Sequence, residues 1–437
     1  MTHGGHRRRR ALGFDSWTRG AHHFERLVPA FDARGMDLSL LHLGSWGNDP
    51  GRPREEMLGK LPVRDVSGYG RLTFSEILDL EKPDAAIFLS TETFAHRAFN
   101  RLCQQRGIPT VNLYHGLVGT YFSNDRDENF SSNSWAWYGI VAKKLGKIAV
   151  HTLPCYVHAL RHTGAGPDEW GRFASDVWRL ATGRLGFAAA EDARTNKCCV
   201  YTAADVNHAV TKYGFQPVDV IPVGNPDLVD FGVTSGMIGT HVGAPPRDGR
   251  SVMYVETGLV ASGLFVNNEA QYIGHLQHTQ EKLLEQGRSL LFKSKPHASE
   301  GSSATLRALA SAGVEVIDNR SFVPRLVECC ACIVEYTSLA LVPALMGMPL
   351  FLANYGMLAD MRFGDVLRSY PRSHALGNVA DFSAVLEADR KACDRRLVMD
   401  WIVANRGPFP AEEMPNRVAE VVGSLIERGA GPSVARA

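Results

Sequence analysis

Two short phrases gather residue types that handle phosphate. In FKSKPHASEG, residues 292–301, an apolar strand-like run ends in Lys295, Pro296 and His297. In CIVEYTSLALVPALMGMPLF, residues 332–351, Glu335, Tyr336, Thr337 and Ser338 stand between a strand-like run and a helical one that stops at Gly347. Both are loops at strand ends. An imidazole can donate a hydrogen bond to a phosphate oxygen, and unpaired N–H groups at the start of a helix favour an anion. Hydroxyls and cations here replace the carboxylates that a metal-dependent site would collect, so the expected chemistry is metal-independent handling of a diphosphate or nucleotide sugar. A plainer reading stands beside it. Thr337 and Ser338 also suit a helix N-cap, Lys295 a solvated strand end and His297 an ordinary loop.

Transfer from such a donor also needs a base for the acceptor hydroxyl. His115 is the first candidate, because it follows a buried strand-like run and sits in the Tyr114-His115-Gly116 turn. A free imidazole, with a pKa of about 6.5, can take a hydroxyl proton near neutrality. Glu92, in LSTETF, is the second, with helix capping as its structural alternative. Thr257 and Gly258, in YVETGL, would present backbone N–H groups to the donor or form a plain turn. Asp125, Asp127 and Glu128 form a DRDEN loop whose DxD spacing is too short a signal for a metal site. His22 and His23 fall in a helical stretch and would either face the cleft or lie half-exposed on the helix.

The elements that must position these residues alternate short apolar runs with helical patterns, which predicts parallel βα units in an α/β fold. DLSLLHLG, AAIFLS, IPTVNLYHG and KCCVY read as strands. AHHFERLVPAFDARG, FSEILDLEKPD and TETFAHRAFNRLCQQRG read as helices stopped at Gly35, before Pro83 and at Gly107. No GxGxxG fingerprint accompanies them, so bound NAD or FAD is not expected. Residues 135–190 read as helical and carry Trp135, Trp137, Trp170 and Trp178, a core or an acceptor-facing surface. Glycine and proline then concentrate in 232–250. The predicted organisation is an amino-terminal Rossmann-like acceptor-side domain (1–233), a linker (234–250), a carboxy-terminal Rossmann-like nucleotide-donor domain (251–400), and terminal helices with a tail (401–437). The second domain holds the strands SVMYV, SLLFKSK, VEVIDN, CCACIVEY and MPLFLA.

At 437 residues with 45% hydrophobic and 21% charged content, the chain can fill more than one core. A formal net charge of +1 gives no field that would recruit nucleic acid. The eight cysteines lie in or beside apolar runs without paired CxxC spacing, which predicts buried, reduced thiols. No eighteen-residue apolar run occurs, and MTHGGHRRRR is followed by no secretory core, so a cytoplasmic protein is expected. The arm Arg7–Arg10 would either fray in solvent or make a peripheral contact with anionic headgroups of the inner membrane.

Taken together, the Lys295-Pro296-His297 phrase, Glu335-Tyr336-Thr337-Ser338 and Gly347-Met348-Pro349 resemble GT-B fold glycosyltransferases. Within these they are most similar to the bacterial surface-polymer branch: CDP-glycerol glycerophosphotransferases and the CMP-sugar sialyl- and Kdo-transferases of capsule synthesis. Gly224-Asn225-Pro226-Asp227 resembles a GNP turn near the end of the first domain of that fold, and Tyr114-His115-Gly116 resembles the WHG turn that carries a candidate base. Two features depart from the branch: proline precedes the histidine in KPH, and Glu335 stands where many members have Asp. The resemblance implies two Rossmann-like domains facing a cleft and a CMP- or CDP-linked nucleotide-sugar donor with no further cofactor. It implies Lys295, His297, Glu335, Thr337, Ser338, Thr257 and Gly258 at the donor, His115 and Glu92 at the acceptor, and a glycan or lipid-linked acceptor. A UDP-N-acetylglucosamine 2-epimerase-like enzyme, phosphoglycerol transfer and a non-catalytic nucleotide-sugar-binding protein are the alternatives.

Overall fold

The computed structural model describes residues 7–15, 20–46, 51, 53–116, 146, 148–181, 191–243, 249–258, 269–294 and 304–429. The apolar runs pair into two sheets. The first holds β1 (Arg9–Asp15), β2 (Met36–His42), β3 (Glu55–Leu58), β4 (Leu61–Asp65), β5 (Ala85–Phe88), β6 (Thr110–Leu113), β7 (Lys197–Val200) and β8 (Val220–Pro222). Its order is β3-β4-β2-β1-β5-β6-β7-β8. The β3–β4 pair is antiparallel and the other ladders are parallel. The second holds β9 (Ser251–Val255), β10 (Ser289–Lys293), β11 (Glu315–Ile317), β12 (Ala331–Val334), β13 (Leu350–Ala353) and β14 (Ser373–Leu376), all parallel in the order β11-β10-β9-β12-β13-β14.

Parallel strands covered on both faces must be apolar on both, and the packing follows that rule. Leu12, Phe14, Ala86 and Phe88 pack with Phe74, Phe94 and Phe99 in one cluster. Their neighbours Ala11, Ala85 and Ile87 join Phe24, Leu27 and Phe31 in another. Phe14 lies at the centre of the first set, stacked 4.1 Å from Phe99 and edge-on to Phe74 at 5.4 Å. The helix Phe74–Glu81 begins with a full capping box between Thr73 and Glu76. The helix Phe94–Gln105 is capped by Thr93, whose hydroxyl accepts from the His96 N–H.

The sequence reading missed β1, because its five apolar-side residues follow a run of arginines that looks like a tail. The structure instead draws Arg9 and Arg10 into the strand and ties all four arginines down. Arg7 donates to the Lys82 carbonyl, Arg8 pairs with Asp32 and Asp37, Arg9 with Glu427 and Arg10 with Glu81. The arm therefore does not fray. The predicted helix at 21–35 is broken into Ala21–Glu25 and Val28–Ala33. Of the cysteines, Cys103, Cys198, Cys199, Cys329, Cys330 and Cys332 are buried, and all eight are unbridged.

The glycine-rich stretch after β8 is pinned to the second sheet's helical layer. Gly239 N–H and His241 N–H donate to the carbonyls of Leu345 and Met346, each at 2.8 Å. The buried Arg372 guanidinium adds bonds to the His241 and Gly347 carbonyls while pairing with Asp389 at 2.5 Å. The GNP turn receives the returning chain. Gly224 has φ +105°, and a Cβ there would stand 2.9 Å from the Pro408 carbonyl oxygen and 3.0 Å from Arg417 Nη1. Arg417 donates to the carbonyls of Val223 and Pro410. Beyond it the helix Met414–Gly429 lies against the helix Val28–Ala33 and β5.

Gly224→Ala is therefore expected to lose roughly 2–3 kcal/mol of unfolding free energy, from a disfavoured φ and a backbone clash together, as read by urea denaturation.

Candidate functional site

In an open parallel sheet, the crevice forms where strand order reverses, at the carboxyl ends of the strands. In the second sheet this point lies between β9 and β12. The chain leaves β9 through Glu256, Thr257 and Gly258, and leaves β12 through Glu335, Tyr336, Thr337 and Ser338. Two of the phrases picked out from the sequence thus meet here. Their meeting is organised by Glu335, which has 0% exposure. Its carboxylate accepts from Thr257 N–H at 2.7 Å, Tyr254 Oη at 3.0 Å and Tyr272 Oη at 2.6 Å. Burial raises its pKa, and the three donors oppose that rise. The Thr257 hydroxyl donates to the Tyr336 carbonyl at 3.2 Å, closing the link between the two turns. Gly258, at φ +82°, turns the chain directly beyond it.

Thr337 is a cap, as the plainer reading allowed: its hydroxyl accepts from Leu339 N–H at 3.3 Å. What it caps is a 3₁₀ turn, Ser338–Ala340, followed by a helix of five residues, Leu341–Leu345. Within the turn the Leu339 and Ala340 N–H groups are both taken by Thr337, through its hydroxyl and its carbonyl, and so short a helix carries little dipole. Lys295 and His297 lie outside the described residues. The strand leading to them, β10, adjoins β9. The sequence reading passed over Lys293, at the end of β10, and Glu256, at the end of β9. Lys293 is 1% exposed and Glu256 7%. The signal was available, since a lysine closing the apolar run SLLF is out of place unless its charge has a use.

In the first sheet the order reverses between β1 and β5. His115 follows β6, the neighbour of β5, and its Nδ1 lies 3.0 Å from the Leu89 carbonyl oxygen. A carbonyl only accepts, so Nδ1 carries the proton and, in the neutral ring, Nε2 carries the lone pair. The buried His23 ring lies 6.0 Å from His115 and 3.9 Å from His22. Burial, with neighbouring positive groups, pushes the His23 pKa down to about 2. Glu92 lies after β5 in the same neighbourhood of the chain, but its Oε1 accepts from Lys212 Nζ at 2.7 Å and Tyr213 Oη at 2.6 Å. Helix capping falls to Thr93. Asp125, Asp127, Glu128, Trp135 and Trp137 lie outside the described residues. Trp170 is half-buried beside Phe173, whereas Trp178 is 70% exposed on the helix Pro167–Ala181. That helix is tied inward by the buried Arg97, which bonds Asp176, Asp192 and Tyr156.

No known protein family's profile matches the chain, and no curated protein does. Solved structures share the fold. The calicheamicin glycosyltransferase CalG4 superposes with a TM-score of 0.50 at 13% identity, over 97% of this chain and 100% of that one. S. aureus MnaA with UDP gives 0.49 at 10%, over 96% and 97%. A variant of the wall teichoic acid polymerase TagF gives 0.49 at 9%, over 96% and 89%. The chain has the GT-B fold, two Rossmann-like α/β units built on parallel sheets. Among the described residues no helix is long and apolar enough to cross a membrane.

The helix that carries Tyr272 also carries a buried histidine, His275. His275 is stacked 4.9 Å from Tyr355, and burial lowers its pKa to about 4. Its folded-state value is below that of a free imidazole, so unfolding takes up a proton below about pH 6.5. The contribution is intact above that pH and is lost as pH falls toward 4. Asp227, raised by burial to about 6, acts in the opposite sense. The comparison must therefore be with a variant. Relative to His275→Gln, the wild type is expected to lose roughly 2 kcal/mol of stability between pH 7 and pH 5, measured by denaturation at both.

Proposed function

We propose that this protein is a cytoplasmic, metal-independent glycosyltransferase. It would move a sugar from a nucleotide-activated donor, CMP- or CDP-linked, to a surface polysaccharide such as capsule or to a lipid-linked acceptor. A lipid-linked acceptor would bring it to the inner membrane as a peripheral protein. The observation that carries the reading is that residues chosen for phosphate chemistry, Thr257–Gly258 and Glu335–Ser338, fall together at the strand-order reversal of the second sheet. That is where α/β sheets bind ligands.

On this reading the first sheet belongs to an acceptor-side domain, residues 1–233, and the second to a donor domain, residues 251–400, with 234–250 between them. His115 is the base. With Nδ1–H held by the Leu89 carbonyl, Nε2 takes the proton of the acceptor hydroxyl as its oxygen attacks the sugar carbon bonded to phosphate. That carbon–oxygen bond breaks, and its electron pair leaves on the nucleotide phosphate. The Ser338 backbone, the Thr337 and Ser338 side chains, Lys295 and His297 stabilise the departing charge. Glu335 does not meet the donor. It takes up the Thr257 N–H, so that group is not the donor contact expected of it, and the Gly258 end of the turn is what this reading leaves for the donor. Glu92, held by Lys212 and Tyr213, is the weaker base.

The purified protein should be screened by thermal shift against CMP, CDP, UDP, GDP and their sugar conjugates. At one hundred times its dissociation constant, the true nucleotide should stabilise by about 2.7 kcal/mol. The shift should be lost in Ser338→Ala and His297→Ala. No shift with any nucleotide would overturn the donor reading. With the donor known, His115→Ala should lower kcat about 10²–10⁴-fold while nucleotide affinity stays within a factor of two or so.

A further inference from the structure

Lys293 ends β10 one strand away from the reversal point, and only 1% of its surface reaches solvent. An ammonium has three N–H donors. Among the described residues one is used, in a bond of 2.6 Å to the Ser294 carbonyl. The remaining surroundings are electrostatic: the Phe322 ring at 5.9 Å, and the carboxylates of Glu256 after β9 and Asp318 after β11, neither in an ion pair with it. Burying an ammonium with its bonding capacity unfilled is costly, and a methionine or leucine of similar size would fill the same space more cheaply. Such a lysine is maintained for a partner. An anion that reaches the carboxyl end of β10 would fill that capacity, and among the described residues none bonds the ammonium directly.

We propose that Lys293 is a donor-binding residue, supplying a buried cation at the carboxyl end of β10 to a phosphate group of the nucleotide. This rests on the donor-transfer reading above and adds a residue that the sequence motifs do not mark. Desolvation lowers the Lys293 pKa to about 8, with Glu256 and Asp318 opposing that fall. A phosphate binds only the protonated form well, so binding takes up a proton once the free lysine has begun to lose its own. Affinity is therefore full below pH 8 and falls as pH rises above it, up to tenfold per unit.

The test measures binding of CMP, CDP and UDP from pH 7 to 9.5, where their phosphates are fully ionised, to the wild type, Lys293→Met and Lys293→Arg. For the nucleotide that binds, wild-type affinity should fall about tenfold between pH 8 and 9.5. K293M should bind at least tenfold more weakly at pH 7 and show no such fall. K293R, charged throughout, should bind without the alkaline loss. Melting temperature separates a binding role from a structural one. K293M removes an incompletely bonded buried charge, so its unliganded melting temperature should hold or rise. A fall of several degrees, with nucleotide affinity unchanged, would make Lys293 a structural residue and overturn the inference. So would K293M binding at wild-type strength across the pH range. If the wild type binds none of the three and GDP gives no thermal shift either, the donor reading itself has failed, and the inference falls with it.

Discussion

One carboxylate with no exposed surface holds the second unit's site together. A buried charge is tolerable only when its oxygens are filled, and Glu335 fills them from two separate pieces of chain: β9 and its exit, through Tyr254 and the backbone of Thr257, and the helix Glu269–Glu285, through Tyr272. Neither is a neighbour of Glu335 in sequence. The ring of donors forces the exits of β9 and β12 into one geometry, and the Thr257 hydroxyl on the Tyr336 carbonyl locks it. Every other element of the site is placed relative to that joint.

The second constraint is topological. A sheet that grows outward in both directions from its first strand leaves a gap between two diverging loops, and each unit of this chain has such a gap, at β1/β5 and at β9/β12. The apolar faces only decide that helices cover both sides. The reversal decides where polar residues can gather without being sealed under a helix. The Thr257 turn lies at such a gap, while His115, after β6, and Lys293, at the end of β10, each lie one strand away from one.

Legibility in the sequence tracked how local the determining forces are. The helix stops at Gly107 and before Pro83 and the apolar runs of β5, β6, β12 and β13 are set by neighbours in the chain, and they were read correctly. β1 was missed because Arg9 and Arg10 belong to a strand only through partners distant in sequence, Glu427 and Glu81. The β3–β4 hairpin went unread, because Glu55 and Glu56 give an edge strand no apolar signature. In the site, the motif residues were visible as types. That Glu335 faces inward to tyrosines, and that Glu92 is already engaged by Lys212, depends on contacts no spacing reveals.

The helix Met414–Gly429 packs on the helix Val28–Ala33 and on β5, and its Glu427 reaches Arg9. During synthesis the first sheet therefore emerges from the ribosome long before the helix that covers part of it. Until that last segment is translated, one apolar flank of the amino-terminal unit stays open to solvent, and the unit cannot reach its final stability on its own. The covering helix is made only after every strand of the second unit. The cover of the first unit is thus supplied from beyond the second. A ribosome stalled within the last helix would hold a nascent protein with both sheets formed and that one flank still sticky.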